Sequence, residues 1–318
     1  TVDYASSDGT ANQRTDYNLL LGTLSFAPGE TQKTLTLLVT EDSYVEGSET
    51  LNLNLSNVTG AAALGAQSQA QVTITDNDSD PNAPNAIIDT PNFVRQQYHD
   101  FLNREPDPPG FTGWQSILNN CPQSGKDSNG IFCDRIEVSS AFFRSLEFHD
   151  RGYFIYRFYS TGFGRIPKYT EFMRDMQKVS GFLNDQQQEQ AKVSFINEFM
   201  ARSEFKQKYD PVVDAAAYVD ALSQTAGVTL SNRNQIVQQL QTSQITRGQA
   251  LRMVVESAEV DQKFYNEAFV IMQYFGYLRR DADILYQQWI QTLNQTKDYR
   301  VLVNGFLNST EYVLRFGK

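Results

Sequence analysis

Residues 93–114 read FVRQQYHDFLNREPDPPGFTGW, and the chain writes this stretch again further along. FVIMQYFGYLRR at 269–280 repeats its framework, with Phe93, Val94, Tyr98, Leu102 and Arg104 answered by Phe269, Val270, Tyr274, Leu278 and Arg280. FIYRFYSTGFGRIPKYTEF at 154–172 is a third copy, in which Phe154, Ile155, Tyr159, Phe163, Arg165, Pro167 and Phe172 hold the matching places. A degenerate fourth begins at Tyr218-Val219. Within the first copy, Val94, Tyr98, Phe101 and Leu102 fall on one helical face and Arg95, Gln96, His99 and Asp100 on the other. Pro106, Pro108, Pro109 and Gly110 end that helix, and Asp107 is placed to cap the next. Recurrence of one helical unit describes a scaffold before it describes a catalyst.

A second signature closes each unit: FFRSLEF (142–148), FMARSEF (199–205), VVESAEV (254–260) and FLNSTEY (306–312). Ser145, Ser203, Ser257 and Ser309 read as N-caps. Glu147, Glu204, Glu259 and Glu311 then lie in first turns, where the helix dipole favours a negative charge by ~0.3–1 kcal/mol. Arg104, Arg165 and Arg280 hold one place in the repeat. The expected reason is a buried pairing with a nearby acid, the closing glutamate among them, because a guanidinium fork suits a carboxylate. An array for anionic groups is the functional alternative.

Upstream the period changes from helical to two. TLTLLVT (34–40), TLNLNLSN (50–57) and AQVTITD (70–76) alternate, with turn formers between them, which is the pattern of an antiparallel β-sandwich. About five strands fit in this stretch. Thr1-Val2-Asp3-Tyr4 reads as mid-strand, so the chain is expected to be a fragment or processed product of a longer protein that supplies one or two opening strands. An incomplete sandwich of that kind would present an open edge for self-association. Residues 76–91, DNDSDPNAPNAIIDTP, lose periodicity and mark a boundary. The fold class expected is therefore β followed by all-α. A partial sandwich spans 1–78 and a linker 79–91. The helical repeat domain spans 92–318, in units 92–150, 151–210, 211–262 and 263–318.

The net charge of −10 over 318 residues is lopsided, at −9 over residues 1–80 and −1 over the remainder. Acidity gathered in a β-rich segment points to a cation partner and away from nucleic acid. Glu41, Asp42 and Glu46 follow the run ending at Thr40. Asp76, Asn77 and Asp78 follow the run ending at Thr75, and Asp16 lies in another inter-strand loop. Convergence of these hard oxygen donors at one end of the sandwich would suit calcium, whereas a solvated acidic rim is the plainer reading.

VDYASSDGTA (2–11), TDYN (15–18), GTLSFAPGETQKTLTLLVTEDSYVEGSETLNLNLSN (22–57) and AQVTITDND (70–78) together resemble a Calx-beta domain. The resemblance implies calcium bound by the acidic loops, through Asp16, Glu41, Asp42, Glu46, Asp76 and Asp78, with Asn77 where an acid is often found. It also marks Ser43 as standing where a third acid is common, and implies weak or single-ion binding. Residues 92–318 resemble an uncharacterised helical domain of bacterial surface and secreted proteins, distantly similar to phycobilisome linker domains. That resemblance implies an interaction module with no catalytic residue.

Cys121 and Cys133 bracket PQSGKDSNGIF, without the spacing of a zinc or redox site. A disulfide is expected, in an oxidising, extracytoplasmic setting, with two unpaired thiols as the alternative. No apolar run approaches the ~20 residues that span a bilayer. His99 and His149 are the only histidines, and no HExxH, GxSxG or phosphate-binding loop is present. Glu105 and Asp107 read as turn and cap residues before they read as an acid–base pair. Trp114 and Trp289 share a repeat position and are expected in the core. The function expected is non-enzymatic: calcium-supported adhesion or assembly at a bacterial cell surface, with a protein or glycan partner. Carbohydrate binding or cleavage, or a filament or S-layer subunit, are the alternatives.

Overall fold

The computed structural model describes residues 1–181 and 184–318. It is a small antiparallel sheet followed by a mostly helical chain. Contacts group Thr1–Ser145 and Ile271–Lys318 in one compact unit and Leu146–Val270 in another. That division follows contact density, whereas the boundaries at 78, 91, 150, 210 and 262 follow sequence pattern.

In the first unit, β1 (Val2–Asp8), β2 (Leu21–Leu24), β3 (Glu49–Ser56) and β4 (Gln69–Ile74) form one sheet in the order β2-β1-β3-β4. Tyr4 stands opposite Gly22 on one side and Leu55 on the other. A Cβ at Gly22 would meet the Tyr4 hydroxyl at 2.6 Å, so the ring lies where only glycine leaves room. Ala11, Tyr17 and Leu51 are fully buried, and Leu37, Leu53, Val72 and Ile74 pack against them. The alternation of β3 thus reports a real inner face.

TLTLLVT (34–40) departs from expectation, because among the described residues it joins no ladder. Its single bridge pairs Val39 with Tyr17, supported by Asn18 N to Leu38 O and Thr40 N to Asp16 O, both at 2.8 Å. Alternation records which side chains are buried, here Leu38 and Thr40, and does not record whether a partner strand lies alongside.

After a 3-10 turn at Ala86–Ile88, the α-helices of this unit begin with Thr90–Gln97, capped by Asp89 and opened by Pro91, which continues as a π-helical turn Tyr98–Leu102. The end of helix Ala258–Gly276 also belongs to this unit. Asp107 caps Pro108–Asn119 through the amide of Gly110 at 2.8 Å, as expected from sequence. Arg135–Phe143, Tyr286–Thr296, Tyr299–Leu307 and Thr310–Val313 complete the set. Cys121 and Cys133 are joined in a disulfide, with Cα atoms 5.5 Å apart.

The second unit is built on aromatic packing. Phe158 meets Phe195 and Phe199 edge-on at 5.2 and 5.4 Å, and Phe163 stacks on Phe199 at 4.4 Å. Asp175 has no exposed side-chain surface. It accepts from Tyr159 (2.7 Å), Arg202 (2.6 Å) and Lys178 (3.1 Å). These donors hold its carboxyl below the usual range despite burial.

One local geometry recurs three times. Asn103, Gly164 and Arg279 adopt left-handed φ of 49°, 74° and 49°, and each immediately precedes Arg104, Arg165 or Arg280. The reversal lays the guanidinium over the ring of Tyr98, Tyr159 or Tyr274, at 4.8, 5.4 and 5.3 Å. Each arginine also donates to the carbonyl of the residue after it, at 2.8, 3.3 and 3.2 Å. Tyr98 and Tyr274 meet Phe142 and Phe306 edge-on at 4.8 and 4.9 Å. Trp114 and Trp289 lie against those same phenylalanines, yet both are half-buried at the margin and not central in the core.

Candidate cation site

Three stretches of the sheet's loops close on one cavity of about 200 Å³. The segment between β1 and β2 brings Asp16. The turn into β3 brings Glu41, Asp42, Glu46 and Glu49, and the exit of β4 brings Asp76, Asn77 and Asp78. All seven residues expected from the sequence line this cavity. Asp16, Glu46 and Glu49 each direct a carboxylate oxygen to within 4.8 Å of the others.

The loops are internally braced. Asp76 accepts the amides of Glu46 (2.9 Å), Gly47 (2.6 Å) and Asp78 (2.8 Å), and amide donation holds its carboxyl below the usual range. Asp16 accepts the amide of Asn12 at 2.6 Å, and Asp42 that of Tyr44 at 2.8 Å. Asn77 donates its side-chain amide to Glu41 at 3.2 Å, which binds the second loop to the third. Asp76 is thereby an organiser of the turn, while Asp16, Glu46 and Glu49 form the convergent set.

Electrostatically the cluster is under tension. Partial desolvation, then repulsion from Asp16, Asp78 and Glu41, pushes Asp42 up to about 6. Desolvation and the charges of Asp42, Asp16, Asp76 and Asp78 push Glu46 up to about 7. Glu49 rises to about 7 through desolvation and its contact with Asp16. Asp78 is raised as well, by desolvation and by Asp76 and Glu41. None of the ion pairs among the described residues involves these acids. An all-oxygen donor set whose members repel one another at neutral pH fits a hard divalent cation, which would relieve that repulsion.

Glu49 is the member that sequence reading missed. Its signal was available: it shares the period-two face of Leu51 and Leu53, so at the mouth of β3 it turns toward the sheet's buried end.

Glu204 pairs with Arg165 and Glu311 with Arg280, each at 2.8 Å, but at the surface where a buried pairing was expected: the side chains are 35% and 46% exposed in the first pair and 29% and 37% in the second. Glu147 accepts from Arg151 at 2.5 Å, one helical turn away, and Arg104 donates to Asp107 at 3.2 Å. Glu259 accepts the amide of Ser231 at 2.8 Å. Of the serines, Ser309 and Ser257 cap through the amides of Tyr312 (3.1 Å) and Val260 (3.3 Å). Ser203 is already the first residue of its helix. His99 is buried with Nε2 at 2.9 Å from Glu105, and His149 Nε2 lies 2.9 Å from Asp261. Among the described residues, the hydrogen-bonded ring nitrogens of both histidines meet carboxylates and no serine or cysteine.

The family model of the Calx-beta domain matches residues 1–78, so the sheet and its acidic loops carry a Calx-beta domain. Among curated proteins, sodium/calcium exchanger 1 of Mus musculus and of Bos taurus are each 44% identical over 57 residues. Sodium/calcium exchanger 3 of Homo sapiens is 42% identical over 57 residues. Each match covers 18% of this chain and 6% of the relative, so the chain spans only a small part of the curated proteins it resembles.

Proposed function

We propose that residues 1–78 bind calcium and that residues 92–318 form a helical interaction module, the whole serving adhesion or assembly outside the cytoplasm of a bacterium. The observation that carries the calcium reading is the meeting of Asp16, Glu46 and Glu49 within 4.8 Å, ringed by Asp42, Asp76 and Asp78. Calcium would supply the positive charge that this ring lacks, with Asp16, Glu46 and Glu49 as its holders and Glu41, Asp42 and Asp78 within reach. The role is non-catalytic. The Cys121–Cys133 disulfide supports an oxidising compartment, and no helix among the described residues is long and apolar enough to cross a membrane.

A calcium titration followed by calorimetry and thermal unfolding tests the reading. Binding to the native state alone must raise stability, by about 2.7 kcal/mol when calcium is at 100 times Kd. Absence of binding heat and an unchanged melting temperature at 10 mM or so would exclude even the weak affinity class of extracellular modules, roughly 10⁻⁴–10⁻³ M.

A further inference from the structure

The loop that carries Glu41, Asp42 and Glu46 touches the far end of the chain. Ser43 donates both its amide and its hydroxyl to the carbonyl of Phe316, each at 3.1 Å. Tyr44 donates its hydroxyl to the carbonyl of Leu314 at 3.0 Å. Asn85 donates to the carbonyls of Val313 (3.0 Å) and Gly317 (2.8 Å), and Ala86 N to that of Phe316 (3.0 Å). The free carbonyls that follow helix Thr310–Val313 are thus satisfied by this loop and by the segment after β4.

Gly317 allows the approach. Its φ is +139°, and a Cβ there would stand 2.2 Å from Ser43 Oγ and 3.0 Å from Asn85 Cα. Buried Arg279 donates to the carbonyls of Gln13 (3.2 Å) and Tyr17 (2.8 Å) and to Asn18 Oδ1 (2.5 Å). Those contacts bracket Asp16 in the sequence. Two of the three acid-bearing stretches are therefore fastened to residues of the C-terminal segment Ile271–Lys318.

We propose that cation binding in the cavity and docking of residues 313–317 on the Ser43 loop are one linked equilibrium, with Ser43 and Gly317 as its positioning residues. The inference rests on the calcium reading above. Neutralising the loop carboxylates removes the repulsion that spreads the loop, which keeps the Ser43 and Tyr44 donors aimed at their carbonyls. Conversely, an undocked loop holds its carboxylates less well gathered. Serine at position 43 supplies a donor to the Phe316 oxygen, where a carboxylate would oppose it. Linkage requires the two effects to share one factor.

The test uses the full chain, calcium chloride as the probe, calorimetry for affinity and amide hydrogen exchange for docking. In the unaltered protein calcium slows exchange at 41–46 and at 311–317 together. Gly317→Ala raises the calcium Kd about five-fold and abolishes the calcium-dependent protection of 311–317. If that variant does not fold, Ser43→Ala, which removes one donor and adds no atom, moves both readouts the same way by a smaller factor. Normal calcium binding with exchange at 311–317 indifferent to calcium overturns the coupling alone. So does an unchanged Kd in a folded Gly317→Ala. Absence of calcium binding in the unaltered protein overturns the calcium reading and the coupling with it.

Discussion

Arg165 grips Glu204 through two parallel contacts, Nε to Oε1 at 2.9 Å and Nη2 to Oε2 at 2.8 Å. Arg280 grips Glu311 with the same atoms, at 2.8 and 3.0 Å. In each case the fork joins the left-handed end of one helix to the first turn of a helix some thirty to forty residues later. At Arg165 and Arg280, fixed position in the sequence thus has a mechanical cause.

Replacing Arg165 by Ala removes that fork, the paired contacts to Glu171 and the cation over Tyr159. The guanidinium is about one-third exposed, so screening limits the loss to roughly 1–2 kcal/mol. Lysine at this position keeps the charge and loses the fork, so it should recover less than half of the stability. Urea unfolding of the three proteins decides the matter, and equal midpoints would contradict a structural role for the arginine.

Glu49→Gln removes one charge from the convergent set without changing its shape. Calcium affinity should fall about tenfold, the order expected from one lost charge near a divalent ion in a wet site. Asp76→Asn, by contrast, also disturbs three amide contacts and should lower stability even with calcium absent. Calorimetry on both variants separates ligand from brace.

Without calcium, stability should decline as pH rises through 5 to 8. Glu46 and Glu49 have folded-state pKa values near 7 against an ordinary 4.5, so between those values the native state binds more protons than the unfolded one. That sign makes the slope of stability with pH negative in this window. Calcium should reverse the trend, because it replaces those protons and binds more tightly as they leave. Melting curves at pH 5.5 and 8, with EDTA or with calcium, measure both arms.

Asp175→Ala in the second unit leaves Arg202 and Lys178 beside a buried gap, and should cost about 3–5 kcal/mol. Because the native carboxyl sits below its ordinary range, its contribution is present above pH ~4 and fades as pH falls through the folded value. A variant as stable as the parent at pH 7 would show that the network contributes nothing.

The helical framework was legible because it is written more than once. Tyr98 and Arg104, with their later counterparts, announce a helix and a fixed arginine, whereas the left-handed stop at Asn103 was not read: it ends the helix ahead of Pro106, Pro108, Pro109 and Gly110, which were expected to end it. Six of the acid-loop residues were singled out by their places after alternating runs and Asp16 by its inter-strand loop, and all seven line one cavity. Glu49 was passed over because it opens a strand, where a charge reads as surface, although its period-two face with Leu51 and Leu53 carried the signal. TLTLLVT misled because burial and pairing produce the same alternation. The contacts of Ser43 with Phe316 join residues 273 apart, beyond the reach of any spacing rule.

Arg279 carries a consequence for anyone wishing to study the sheet and the helices apart. A fragment starting at residue 79 would lack Gln13, Tyr17 and Asn18, so Arg279 would lose three acceptors and open to water beside Asp100 and Arg315. Such a truncation should be less stable than the full chain and should expose the surface that residues 13–18 cover. Grafting the sheet onto a foreign carrier meets the mirror-image difficulty, with three oxygens waiting for an arginine that was left behind.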